Sequence, residues 1–302
     1  MTRLAMLAVL LGLAGCKKDE PKPVEAASGS GSAALAAGPA DGVTFTMKGP
    51  AVGSRYEDVS KMKMAFDMSV EAMGVKQKSS MSTQETVRFT VEFLAVEGDT
   101  PTKARVVYLE KSSVDSEDGK EKKAPPAPVV GKTYLVSMHG EDLDITTDDG
   151  TPVSQAETAI VTEDCDFIGR PDDFRTALPK RPLKIGEDVP ELRKAIQKIA
   201  SAGAASGSGG ATKVSGVSVR LKSDEGDHGL FDVAMTMSMN DGPVAMVIEL
   251  KGAIDVRKAD SQLTRLVLEG PVTVKPSDSP EAAGMKMAGA GTMSIALTQK
   301  PL

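Results

Sequence analysis

Lys61-Met62-Lys63-Met64-Ala65-Phe66-Asp67-Met68-Ser69-Val70 is the stretch that decides the fold. Met62, Met64, Phe66, Met68 and Val70 take every second position, with Lys61, Lys63, Ala65, Asp67 and Ser69 between them. Successive side chains of a strand point to opposite faces, so the run predicts a strand with one apolar and one largely polar face. The pattern recurs. Val87, Phe89, Val91 and Phe93 alternate with Thr86, Arg88, Thr90 and Glu92; Tyr134, Val136 and Met138 follow; Leu143 and Ile145 lead into Asp149-Gly150, a hairpin turn signal. Later come Val217, Val219 and Leu221; Val233, Met235, Met237 and Met239; Met246, Ile248 and Leu250; Leu266 and Leu268; and Met293, Ile295 and Leu297. Asp241-Gly242 separates two of these runs and predicts another hairpin.

Half-polar alternation implies antiparallel sheet with one face covered, because a parallel βαβ layout needs continuous apolar strands and many more helices. One helix interrupts the strands. Leu192, Ala195, Ile196 and Ile199 fall on one helical face, with Pro190 where a first turn tolerates it and Gly203 soon after the end. A Gly-, Ala- and Ser-rich loop is expected over Ser201 to Gly210. The expected fold is mainly β (α+β): a curved antiparallel sheet or half-barrel with one amphipathic helix packed on it. Pro50-Ala51-Val52-Gly53 before Phe66-Asp67-Met68, and Pro182-Leu183-Lys184-Ile185-Gly186 before Phe231-Asp232-Val233, faintly repeat each other. They leave open two pseudo-repeats, 43–181 and 182–302, joined near Asp172 to Pro182 and sharing one core.

The N-terminus carries an address. Arg3 precedes ten residues, Leu4 to Leu13, made only of Leu, Ala, Met, Val and one Gly. Spanning a hydrocarbon core of ~30 Å takes roughly 20 apolar residues, so a cleaved signal over 1–15 is favoured over a membrane span. Leu13-Ala14-Gly15-Cys16 closes the segment and resembles the lipobox of bacterial lipoproteins. The resemblance implies lipidation of Cys16 with diacylglycerol and an amide-linked chain such as palmitate. Several acyl chains at ~0.8 kcal/mol per buried CH₂ make attachment effectively permanent. In that family an aspartate after the cysteine tends to retain the protein in the inner membrane; with Lys17 there, the resemblance implies the outer membrane, with the body facing periplasm or cell surface. Residues 16–42, rich in Pro, Ala, Ser and Gly, read as a tether unable to bury enough surface to order itself. The body is 43–302.

Composition excludes several classes. Removing residues 1–15 takes Arg3 from the 36 basic residues, against 42 acidic ones, and leaves a formal net charge of −7 apart from the new N-terminus. With no Trp and three Tyr as well, nucleic-acid binding is disfavoured. Lys120-Glu121-Lys122-Lys123 reads as a solvated loop. With Cys16 committed to lipid, Cys165 is left single among Glu163, Asp164 and Asp166, which suppress its thiolate; it reads as a small apolar residue at a strand end. Asp142-Leu143-Asp144 with Asp148-Asp149-Gly150 fails the calcium-loop pattern, Val153 standing where its glutamate belongs. His139 and His228 belong to no HExxH sequence, and no nucleophile elbow, P-loop or dinucleotide fingerprint occurs. Neither metal nor cofactor is expected.

Methionine offers the remaining chemistry. Met62-x-Met64, Met235-x-Met237-x-Met239 and Met285-x-Met287 set thioethers two apart on single faces. Packing is the default explanation, a deformable lipid-binding wall the second, and soft Cu(I) coordination the third. In Met285, Met287, Gly289, Gly291, Met293, Ile295 and Leu297, all of one parity, two glycines interrupt an apolar face. They mark either a bend with close backbone approach or a gap left for a ligand. Met235, Met237, Gly289 and Gly291 are therefore the candidate ligand-binding residues. The body resembles LolA-like and LppX-like half-barrels, whose concave apolar face holds acyl chains beneath a helix, and uncharacterised β-rich envelope lipoproteins. The expected function is a membrane-anchored envelope lipoprotein with a non-enzymatic structural or protein-interaction role. The alternative is a carrier or sensor of a hydrophobic ligand, a lipid, in the periplasm. An enzyme working through inward carboxylates of shifted pKa is the third reading.

Overall fold

The structure is a computed structural model, and it describes residues 42–72, 75–140, 142–205, 211–279, 282 and 286–302. The lipobox, Cys16, the tether up to residue 41 and Met285 lie outside the described residues. Eleven strands form one antiparallel sheet, open and curled, as the alternation requires. They are β1 (Arg55–Ala72), β2 (Val75–Glu97), β3 (Thr100–Glu117), β4 (Lys120–Lys123), β5 (Thr133–His139), β6 (Asp142–Thr147), β7 (Ala211–Glu225), β8 (His228–Asp241), β9 (Val244–Arg257), β10 (Gln262–Pro276) and β11 (Lys286–Pro301). The spatial order is β6-β5-β3-β2-β1-β11-β10-β9-β8-β7, with β4 added to β3. The two ends of the body therefore meet at the middle of the sheet. Tyr56 lies opposite Pro301, and the Leu302 amide donates to the Arg55 carbonyl at 3.0 Å.

The connection from β6 to β7 crosses the sheet and carries three helices, where the sequence predicts one: α1 (Gln155–Asp164), α2 (Asp173–Thr176) and α3 (Pro190–Ala205). α3 is the expected helix. It begins at Pro190 and buries Leu192, Ala195, Ile196 and Ile199, but it runs through Gly203, so residues 201–205 are helix where a loop is expected. Asp149-Gly150 does form a tight turn, with Gly150 at φ 81°. It joins no second strand; after one bridge between Thr146 and Pro152 the chain enters α1. Lys120–Lys123 is an edge strand, fully exposed and paired only to β3, where a loop is expected. Its lysines discourage further strand addition. Asp241-Gly242 turns β8 into β9 as predicted.

The buried apolar side chains of the described residues gather mainly in two clusters. Both lie on the same sheet face, because Tyr56 of one and Met62 and Met64 of the other have the same parity on β1. One cluster unites β7–β11 and α3 with Met62 and Met64; the other unites β2, β3 and β5 with α1 and the segment Cys165–Ile168. Between them β1 turns Asp58 and Ser60 inward, at 3% and 6% exposure.

Glycines crease the sheet under the first cluster. A Cβ on Gly252 would collide with the Val267 carbonyl, one on Gly270 with the Glu249 carbonyl, and one on Gly291 with the Ala65 carbonyl and Phe66. Only a residue without a side chain permits such approach, and the β9–β10 pairing lapses between Glu269 and Val272, where Pro271 has no N–H to give.

Candidate functional site

The inner sheet face is where helices, buried charges and the predicted residues converge. Met235 and Met237 sit there, 2% and 0% exposed, inside the α3 cluster. Gly289 and Gly291 also face inward, but neighbouring chain fills the space beside them: a Cβ at Gly289 would lie 2.9 Å from the Asp67 carbonyl and 3.0 Å from the Val274 side chain. The structure thus places all four residues on one wall, and the two glycines serve close backbone approach. Among the described residues ten methionines belong to this cluster: Met62, Met64, Met235, Met237, Met246 and Met293 buried, with Met47, Met68, Met239 and Met287 packed against it.

The other cluster is aromatic. Phe89 and Tyr108 lie 5.4 Å apart, Tyr108 and Tyr134 meet edge-on at 5.9 Å, and Phe93 meets Phe167 edge-on at 6.2 Å. Over it lies α1, which sequence reasoning missed because Gln155-Ala156-Glu157-Thr158-Ala159-Ile160-Val161-Thr162-Glu163-Asp164 has no apolar stripe. Polar groups fasten it instead. At its N-terminal end Lys132 Nζ and Tyr134 Oη each donate to Glu157 Oε1 at 2.7 Å. Ser154 caps the helix, its backbone amide donating to Glu157 Oε2 at 3.0 Å and its hydroxyl accepting from the Glu157 amide at 3.3 Å. Seven residues on, Tyr108 Oη donates to Asp164 Oδ2 at 3.0 Å, and Lys111 Nζ reaches both Asp164 oxygens at 3.2 and 3.0 Å. Ser154-x-x-Glu157, a capping box ahead of an apolar pair, was the available signal for this helix.

The electrostatics of the two clamps differ. Hydrogen bonds from Lys132, Ser154 and Tyr134 hold Glu157 at about 2, below its ordinary 4.5. Tyr134 is pushed up by burial and by its bond to Glu157. Near the Asp164 end the acids move the other way. Glu85 is raised by burial, against the pull of Lys111, with Asp115 and Glu163 adding repulsion. Glu163 is likewise raised by partial desolvation, against Lys111, with Asp164 and Asp166 adding to the rise. Cys165 caps α1, fully buried, rather than ending a strand.

Between the clusters runs a polar relay. Gln299 Nε2 donates to both oxygens of Asp58 at 3.2 and 3.3 Å and accepts at Oε1 from Gln262; Gln262 accepts in turn from Arg257, which grips Asp260 at 2.9 and 2.6 Å. A cavity of about 40 Å³ opens here beside Tyr56, Asp58, Asp172 and Arg175, enough for about three waters. On the outer face of β7–β11 an open groove of about 1290 Å³ is walled by Arg220, Lys222 and Lys251 against Asp188, Asp232 and Glu269. Lys222 and Asp232 pair at 3.1 Å. Among the described residues no three His, Cys, Asp or Glu side chains come together to hold a metal ion, and no helix is long and apolar enough to cross a membrane.

No protein-family model matches the sequence, and no curated protein matches it. Two solved structures align with most of the chain at low similarity. One is a DUF1329 family protein from Desulfovibrio piger, at 8% identity over 80% of this chain and 83% of that one, with a TM-score of 0.14. The other is the COG4313 outer membrane channel from Pseudomonas putida F1, at 10% identity over 85% of this chain and 98% of that one, with a TM-score of 0.14. At such scores neither likeness defines a fold or an activity for this chain.

Proposed function

We propose that the protein is a bacterial envelope lipoprotein, anchored through acyl chains on Cys16, whose β-rich body has a non-enzymatic structural or protein-interaction role at the outer membrane. The observation that carries this reading is Leu13-Ala14-Gly15-Cys16 behind ten apolar residues, followed by Lys17 and a Pro-, Ala- and Ser-rich tether. The architecture supports the non-enzymatic part: of the buried acids on the inner sheet face, Glu157 and Asp164 are engaged in fastening α1, and Asp58 is held by Gln299. Metabolic labelling with an alkyne analogue of palmitate tests the anchor. The wild-type chain is expected to take up label and sediment with outer membrane, and Cys16→Ser to lose both; label on Cys16→Ser, or unlabelled soluble wild type, overturns the reading.

One observation favours the carrier alternative, namely the ten methionines of one cluster, since flexible thioethers repack readily around an apolar guest. Native mass spectrometry of secreted Cys16→Ser protein, purified without detergent, separates the two. A stoichiometric adduct of lipid mass selects the carrier; a bare apo mass selects the structural or interaction role.

A further inference from the structure

We infer that α1 is a hinged lid, whose N-terminal end swings off the aromatic face of the sheet when Glu157 loses its charge while its C-terminal end stays packed. This goes beyond the anchored role and holds whether or not Cys16 carries lipid.

The geometry is asymmetric end to end. The N-terminal end rests on Glu157, whose partners are Lys132 and Tyr134 at 2.7 Å and Ser154. Two further acids of the preceding turn are already engaged: Arg105 holds Asp148 at 3.1 Å, and Asp149 accepts from the hydroxyls of Thr147 and Thr151 at 2.5 and 2.9 Å. The C-terminal end continues into Cys165, Phe167 and Ile168, buried at 0%, 6% and 2%. Gly169 then donates to the Pro101 carbonyl at 2.7 Å, with φ 75°. Gly150 at φ 81° stands at the other side of the segment, so left-handed glycines bracket it. What the lid covers is apolar: Phe89, Val106, Tyr108, Tyr134 and Val136 are all 0% exposed.

Protonation acts oppositely at the two ends. Glu157 is depressed on folding, so its stabilisation is complete above about pH 4.5 and is lost as pH falls through the range down to about 2. Around Asp164 stand Tyr108 and Lys111 from β3, Glu85 from β2, Asp115 from β3, and Glu163 and Asp166 of its own segment. Glu85 and Glu163 are raised on folding, so their ionisation costs stability at neutral pH and acid relieves that cost. Acid therefore loosens the Glu157 end, and the buried Cys165, Phe167 and Ile168 hold the other end in the core, which makes the motion a hinge rather than a detachment.

Hydrogen exchange of the full mature protein tests it, with Glu157→Gln at pH 7 reproducing the discharged state. Protection of residues 155–160 is expected to fall about tenfold, the effect of losing one charge-assisted hydrogen bond, while 165–168 and α3 keep theirs. The milder Tyr134→Phe is expected to act in the same direction, and retained α3 protection certifies that each variant is folded. Equal loss at both ends of α1, loss shared with α3, or unchanged protection of 155–160 in both variants overturns the lid.

Discussion

α1 and α3 close the same face of one sheet by opposite means. α3 lays Leu192, Ala195, Ile196 and Ile199 on a wall of methionine and aliphatic side chains, with Gln197 Nε2 donating to the Val214 carbonyl at 3.3 Å and its ion pairs, Lys198 to Asp173 and Arg193 to Asp188, at the surface, so burial is its main hold. α1 buries Glu157, Val161 and Asp164, and two lysine–carboxylate–tyrosine clamps hold it on a wall of aromatic rings. Burial of hydrocarbon is non-directional and indifferent to pH, whereas a clamp depends on charge and geometry. The sheet therefore carries one lid that is constitutive and one that is conditional.

The comparison breaks most readily at α3. Leu192→Ala is expected to cost about 2–5 kcal/mol in denaturant unfolding, by an equal amount at pH 7 and pH 4. A strong pH dependence of that loss would erase the contrast. Gly291→Val drives a side chain into the Ala65 carbonyl and Phe66, and is expected to cost about 1–3 kcal/mol. A variant as stable as wild type would return Gly291 to the status of an open ligand gap. Glu157→Gln is expected to cost about 1.5 kcal/mol at pH 7 and less at pH 3, inside the range from about 4.5 down to about 2 over which the carboxylate's stabilisation fades. An undiminished cost at pH 3 would show that shape, not charge, holds the N-terminal end. An exchange of packing atoms, Met237→Leu, is expected to change stability by under about 1.5 kcal/mol. Tyr108→Phe, which strips a hydroxyl from a buried carboxylate, costs about 1 kcal/mol.

How far the sequence reveals this follows from the same contrast. Met62, Met64 and Phe66, or Leu192, Ala195, Ile196 and Ile199, announce themselves because periodicity is local and burial follows it. β3 stayed hidden because its pairing with β2 shifts between Arg88 and Phe89, so its inward residues change parity from Ala104, Val106 and Tyr108 to Lys111, Ser113 and Asp115. α1 stayed hidden because its fastening is long-range: Tyr108 lies 56 residues from Asp164, and Tyr134 lies 23 from Glu157. The relay between the clusters joins Asp58 to Gln299 across 241 residues, a distance no local pattern spans. The glycines at 289 and 291 were visible, and their two readings differed only in what stands opposite them; the structure puts backbone and packed side chains there.

The chain has no tryptophan, so one introduced under each lid reports on that lid alone. Phe89→Trp lies beneath α1 and Phe231→Trp in the α3 cluster, and their emission can be followed from pH 7 to pH 2.5. The Phe89→Trp signal is expected to shift to the red between about pH 4.5 and 2 while Phe231→Trp remains in its buried position. Coincident transitions at the two sites would contradict it, because both lids would then be parts of one cooperative unit.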